Sequence, residues 1–570
     1  MKRLIYILLL TLTVLPASAA KQRLPKGTTV WGQVVKDGTP MSGVVISDGA
    51  ELTTTDKKGF YYLKSNKKEG SVFVSIPSCT EVETTGGMPQ FWQRLSEPAA
   101  SPERHDFALK GVDNTDYTLI AISDLHLAGV FDDFIQFRQV FMPRFMEEYN
   151  KARERGPVYC LNGGDSTYDR YWYEYGYPIE EFPKTLADSN FPVPMFHVMG
   201  NHDNDGGLPR EKVSDFNAAE RYRRTMGPTH YSFNLGRNHY VVLDNVVYLN
   251  SEGRIDTYEG ISGKRNHEHY FTQDQLDWLA KDLATVKDKD APLFVCFHVP
   301  VIRYKGGFTG KPIESRLSKS GADSDDLLRE FSAMFKGFRE VHFISGHTHQ
   351  NMPCRGSDDT SRFPDIANIF EHNISGACGC WWQSHAHSGL SLGPDGAPAG
   401  FEVFPVSGDS VQWYFVSNDD GADKQFRVFD MNSVRDYYQK DYALQAMLRH
   451  YPGRTDYSKI EDNLLLIGVW AWQSDWTLSV TENGVELPVE QRRSENPQFT
   501  LDYHLPKASW DDNGKARWPS KYDNSAAHAN YFWAKASSPE STVTVKVTDG
   551  FGREYTEVVE RPKAFGKLMR

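Results

Sequence analysis

Between Tyr117 and about Val406 five short apolar runs each end in a small polar cluster, and that repeated relation constrains the fold more than anything else in the chain. Leu119-Ile120-Ala121-Ile122 leads into Asp124-Leu125-His126, and Val158-Tyr159-Cys160-Leu161 into Gly163-Gly164-Asp165. Met195-Phe196-His197-Val198-Met199 leads into Gly200-Asn201-His202-Asp203. Leu293-Phe294-Val295-Cys296-Phe297 then delivers His298, and Val341-His342-Phe343-Ile344 delivers Gly346-His347-Thr348-His349. Apolar runs of this length, interleaved with helical stretches, read as buried strands of a layered α/β or α+β domain. Strands that end at one edge of one sheet bring the residues after them to a single crevice, so the five clusters are expected to meet.

A lone Asp-x-His or a single buried histidine is more often a hydrogen-bonded structural group than a ligand. Five strand ends that collect only carboxylate, imidazole and carboxamide groups are a different matter, because burying such groups without a purpose is costly. The set contains no thiolate, which suits borderline-hard divalent or trivalent ions such as Mn, Fe, Zn or Co.

In this order the clusters resemble the calcineurin-like metallophosphoesterase family, marked by the series D-x-H, G-D, G-N-H-D or G-N-H-E, H and G-H-x-H. The resemblance implies a sandwich of two β-sheets flanked by helices over 115–406, holding two metal ions. It places Asp124, His126, Asp165 and His349 on one ion, and Asp165, Asn201, His298 and His347 on the other, with Asp165 shared. Two such ions activate a water against a phosphorus centre. His202 is then the expected proton donor to the leaving group, with Asp203 orienting its imidazole. One departure stands out. Gly164-Asp165-Ser166-Thr167-Tyr168 is similar to the G-D-x-x-Y of purple acid phosphatases, whose tyrosine ligates ferric iron, yet those enzymes have D-x-G where this chain has Asp124-Leu125-His126. His126 is therefore expected to be a ligand and Tyr168 a neighbour of the site.

The flanks differ in texture. Residues 27–110 alternate apolar and polar side chains around Asp37-Gly38 and Asp48-Gly49 turns, which predicts a β-sandwich module. Its Thr55-Asp56-Lys57-Lys58-Gly59 turn resembles that of carboxypeptidase regulatory domains. A polar stretch from Ser96 to Arg104 reads as a linker. Residues 407–570 return to strand-like alternation, as in Trp476 to Val480 and Ser541 to Gly550, and predict a C-terminal β-rich domain. Thr272-Gln273-Asp274-Gln275 predicts a capping box, followed by Leu276, Leu279 and Leu283 on one helical face.

At the start, Lys2 and Arg3, the apolar stretch Leu4 to Leu15 and Ala17-Ser18-Ala19-Ala20 form the pattern of a signal peptide over 1–20, so the protein is expected to be exported, periplasmic or secreted. That run is too short to span a bilayer, and no later one is long enough. Cleavage would take the formal charge of −12 to about −14, a balance that argues against a nucleic-acid polymer as partner. Six cysteines in 570 residues are no disulfide scaffold, although Cys354 could bridge to Cys378 or Cys380.

Aromatic and basic residues follow several clusters. Tyr168, Tyr171, Trp172 and Tyr173, then Arg303 and Lys305, then Trp381 and Trp382 could line a cleft for a phosphorylated small molecule, sugar, nucleotide or lipid headgroup. The competing role for each is packing between domains. Mono- and diesterase activity are equally compatible with the clusters. A non-catalytic, exported glycan- or ligand-binding protein that keeps the fold as scaffold is the alternative, which the retained cluster of polar groups disfavours.

Overall fold

The structure, a computed structural model, describes residues 23–208, 214–250, 254–256, 260–262, 265–307, 309–378, 389, 391–518 and 527–566. The signal-like segment 1–20 lies outside the described residues, as do Cys380, Trp381 and Trp382. Among the described residues no helix is long and apolar enough to cross a membrane.

The central strands are β1 (Asp116–Ile122), β2 (Val158–Asn162), β3 (Met195–His197), β4 (Tyr231–Leu235), β5 (Asn238–Val242), β6 (Leu293–Cys296), β7 (Val341–Ser345), β8 (Ile369–Asn373), β9 (Gly400–Ser407) and β10 (Tyr414–Ser417). With the short strands Ser410–Val411 and Cys354–Arg355 they form two 6-stranded sheets, as the family resemblance implies. In the first, β1 runs parallel to β2, β2 parallel to β3, and β9 antiparallel to β1. In the second, β5, β6, β7 and β8 are parallel neighbours and β4 is antiparallel at the edge.

Period-2 alternation divides the apolar residues of β1 between two cores. Leu119 and Ala121 join the cluster shared with Phe233, Tyr240 and Phe294 of the second sheet. Ile120 and Ile122 face Phe141, Phe145 and Met142 of the outer helical layer. A stack of rings, Phe196, Phe233, Tyr240 and Phe294, crosses the sandwich at centroid spacings of 3.8, 4.9 and 4.4 Å. Burying such rings stabilises each by roughly 1.5–3 kcal/mol.

The helix Gln273–Thr285 starts where the capping signal puts it, but not by that device. Thr272 makes no side-chain cap bond. Gln275 instead clamps the backbone of Asp244, accepting from its N–H at 2.8 Å and donating to its carbonyl at 2.7 Å. Leu279 and Leu283 are buried as the periodicity predicts, with Leu276 packed beside them.

The N-terminal module contains a 6-stranded and a 4-stranded sheet. Asp37 and Gly38 both have positive φ, 50° and 76°, as the turn between Val30–Lys36 and Thr39–Pro40 requires. The expected linker is part of this module. Glu103 and Arg104 pair in parallel with Val30 and Trp31, and Glu103 forms a buried ion pair with Lys67 at 2.5 Å. Proline and charge marked a turn there, not a free connection.

Beyond β10 the described residues build two 4-stranded sheets, including Leu464–Val469, Thr477–Glu482, Tyr531–Lys535 and Val543–Thr548, and helices that include Met431–Lys440 and Tyr442–His450. Since β10 pairs with β9, the central sheet extends past residue 407. Cys354 is buried and forms no disulfide.

Candidate metal centre

The five clusters do meet, but from two sheets: β1, β2 and β3 of one and β6 and β7 of the other end at the same rim. Backbone bonds lace the loops together, from Asp124 N–H to Gly164 carbonyl (3.0 Å), His126 N–H to Asp165 carbonyl (2.9 Å) and Gly346 N–H to His298 carbonyl (2.9 Å). Asp124, His126, Asp165, His347 and His349 all adopt the left-handed conformation, with φ of 55, 46, 53, 67 and 53°. Each costs about 1–2 kcal/mol for a residue with a side chain, and such strain concentrates where side chains must be aimed. Gly346 is needed for a different reason: a Cβ there would collide with the Ser123 hydroxyl and the Asp124 carboxylate.

Ligand atoms now face ligand atoms. His126 Nε2 stands 2.9 Å from His349 Nε2, and Asp124 Oδ1 lies 3.6 and 3.3 Å from those two nitrogens. On the other side His298 Nε2 and His347 Nδ1 both address Asn201 Oδ1, at 3.0 and 2.8 Å. Asp165 Oδ2 lies between the halves, 3.2 Å from His298 Nε2 and 3.7 Å from His126 Nε2. Its other oxygen accepts the His202 N–H at 2.7 Å, which fixes the carboxylate plane. His298 directs Nε2 inward because Nδ1 donates to the Gly163 carbonyl at 2.9 Å.

One proton can satisfy only one such contact; a cation satisfies a whole group. The donor set therefore fits two metal ions, the groups Asp124, His126, His349 and Asp165, His298, His347 each being compact enough to hold one. Burial alone would raise the Asp124 carboxyl, but the imidazoles of His349 and His126 outweigh it and hold it well below the usual range. Asp165 is lowered in the same way by His298 and His202 against its burial. Both carboxylates are thus preset as anions.

His202 sits at the rim, and one of its ring nitrogens lies within 4.8 Å of ligand atoms of His126 and Asp165. Its orienting partner is Asp169, 2.8 Å from Nδ1, and not Asp203 as expected. The Asp203 carboxylate turns into the loop, where it accepts from the N–H groups of Gly200 (3.0 Å) and Thr167 (3.1 Å). There burial, then the charge of Asp165, push its carboxyl up to about 7. Tyr168 packs edge-on against His202 and His126, with centroids 4.3 and 5.6 Å apart. Arg303 is exposed and paired with Glu314 at 2.6 Å, which makes it a surface ion pair.

Sequence reasoning missed three residues at the centre's border. Asp169 closes the run Asp165-Ser166-Thr167-Tyr168-Asp169 and could have been found there. His267 and His269 lie on the strand Arg265–His269, their rings 5.9 and 5.5 Å from that of His347. Their i, i+2 spacing was the available signal.

Comparison with known proteins agrees with this geometry. Residues 117–351 match the calcineurin-like phosphoesterase family, 28–112 the family's N-terminal part and 371–555 its C-terminal part. The chain belongs to the calcineurin-like phosphoesterase family, in a three-part form, and is on that ground a metal-dependent phosphoesterase. Similar solved structures include a dimetal phosphatase from Danio rerio, 14% identical, covering 53% of this chain and 96% of that one at a TM-score of 0.34. A purple acid phosphatase from yellow lupin seeds is 11% identical, with 67% and 68% covered and a TM-score of 0.35. PhoD is 10% identical, with 75% and 83% covered and a TM-score of 0.35. No curated protein matches the chain.

Proposed function

We propose that this chain is an exported phosphoesterase that hydrolyses a phosphomonoester or phosphodiester with water, using two cations held by Asp124, His126, Asp165, Asn201, His298, His347 and His349. The observation that carries the reading is Asp165 Oδ2, placed between the two ligand groups as a shared donor. Bound cations would supply Lewis acidity and a water of lowered pKa.

The protein's own part is orientation and proton delivery. Asp165 and Asp124 keep their charge at neutral pH through the surrounding imidazoles. His202, steadied by Asp169, is placed to give the leaving oxygen its proton, and Tyr168 holds that imidazole from one side. Asp203 serves by locking the loop that carries Asn201 and His202. The acidic overall charge suits a small phosphorylated substrate better than a nucleic-acid polymer. Export rests on the charged, apolar and small-residue pattern of residues 1–20.

The test is a comparison of an aryl phosphate with an aryl phosphodiester on protein reconstituted with Mn, Fe, Zn or Co, together with metal content. Asn201→Ala should lose metal and turnover together. His202→Ala should keep the metal and lose turnover of an alkyl phosphate, whose leaving group needs the proton. Unchanged turnover in both variants contradicts the mechanism.

A further inference from the structure

Arg316 lies on the segment that pairs with His269, and among the described residues its guanidinium has no partner. Its backbone N–H donates to the Val301 carbonyl at 2.8 Å, three residues past His298. Two residues further on, Ser318 pairs antiparallel with His269, exchanging backbone bonds of 2.9 and 2.8 Å. Strand alternation then puts Arg316 on the face of Ser318 and His269. The Arg316 charge is near enough to His269 to disfavour protonation of that imidazole.

Among the described residues no side-chain hydrogen bond or ion pair reaches the Arg316 guanidinium. Its two acidic neighbours are Glu371 and Glu314, and both are taken. Glu371 accepts from Val301 N–H (3.0 Å), Ile302 N–H (2.8 Å) and the Ser345 hydroxyl (2.9 Å). Glu314 holds Arg303 at 2.6 Å. A partly buried guanidinium without a counterion is costly unless an anion completes it, and its planar fork suits phosphoryl oxygens.

His269 also faces the metal ligands: its ring lies 5.5 Å from that of His347, the ring of His267 lies 5.9 Å from it, and the two are tilted against each other at 4.8 Å. Those three imidazoles are close enough to hold an ion of their own. The adjacent Arg316 charge argues against a third cation there. It favours a negative group, and the His269 Nε2, buried without a partner, is available to donate to one.

We propose that Arg316, with His267 and His269, forms an anion subsite that takes a second phosphoryl group of the substrate, one position beyond the group held at the metal centre. The substrate class is then a phosphoester that carries two linked phosphoryl groups rather than one. This deepens the hydrolytic reading and rests on it for the position of the first phosphoryl.

Calorimetry of the metal-loaded full chain with methylenediphosphonate and methylphosphonate, neither of which can be hydrolysed, tests the subsite by binding alone. The wild type should bind the diphosphonate more tightly by roughly 10-fold to 100-fold, the value of charge-assisted hydrogen bonds to one guanidinium. Arg316→Met, which keeps the apolar stem, should lose most of that advantage while holding methylphosphonate as before; Arg316→Lys should restore part of it. An advantage undiminished in Arg316→Met overturns the proposal, and so does a parallel loss for both ligands. Thermal melting of each variant separates misfolding from lost binding. If neither an aryl phosphate nor an aryl diphosphate is turned over by the metal-loaded protein while the Arg316-dependent difference persists, the hydrolytic reading fails and the anion subsite stands.

Discussion

Two sets of histidines, one inside β7 and β8 and one just past the end of β7, do opposite things. Inside β7 and β8, His342 and His372 form a closed relay with two glutamates. Glu340 Oε1 lies 2.8 Å from His342 Nε2, His342 Nδ1 lies 3.0 Å from His372 Nε2, and His372 Nδ1 lies 3.2 Å from Glu402 Oε2. With Glu402 protonated and both rings neutral, each contact has one donor and one acceptor. At the end of β7, His347 and His349 instead meet other acceptors. A buried histidine is therefore not a site by virtue of burial; lone pairs that converge without enough protons to share make it one.

The comparison breaks most visibly at Asp165. Asp165→Asn should lower hydrolysis by roughly 10²–10³-fold, as loss of a key electrostatic group does. Metal at a thousandfold excess over its Kd should stabilise the wild type by about 4 kcal/mol, and this variant should lose most of that increment. Calorimetric unfolding with and without chelator reads the difference. An equal metal-dependent shift in both proteins would mean that Asp165 is not the shared ligand.

A smaller effect sharpens the role of the rim. His202→Ala should reduce kcat by about 10²-fold for an alkyl phosphate and by much less for a nitrophenyl ester, whose leaving group departs without a proton. Asp169→Asn should cost about 10-fold, the usual scale for a residue that orients another. Equal losses on both esters would remove His202 from the role of acid and leave it as a binding group.

How much of this was legible in the sequence follows from which interactions are local. The five clusters were readable because each follows directly on an apolar strand, and the strand determines where its last residue points. Their division between two sheets was not readable from the runs themselves, since a parallel neighbour and a facing strand look alike in sequence. Asp203 adjoins His202 in sequence and was expected to orient it, yet the turn at Asn201–Asp203 sends adjacent side chains in different directions. Arg303 is the arginine that closeness to His298 points to in the sequence. Its place between buried Ile302 and Tyr304 already put it on the outer face, whereas Arg316 becomes a neighbour of the site only through the tertiary pairing of Ser318 with His269. Gln275 shows the same limit: a local capping signal lost to a more distant backbone partner.

The relay gives the last and, for turnover, the smallest effect. Burial pushes the Glu402 carboxyl from 4.5 up to about 8, so the folded state holds a proton that the unfolded chain releases. A raised folded pKa means that the stabilising contribution is complete below about 4.5 and is lost as pH rises toward about 8. Glu402→Gln keeps the shape and the hydrogen-bond donor while removing the titration. Its urea midpoint should therefore stay level relative to the wild type at low pH and gain on it steadily between those two values, by an amount on the order of a few kcal/mol at the upper end. Metal content and kcat should not change. A parallel pH dependence in the two proteins would place a charged Glu402 in the core, and the distinction between satisfied and convergent histidines would then have to be drawn on grounds other than proton count.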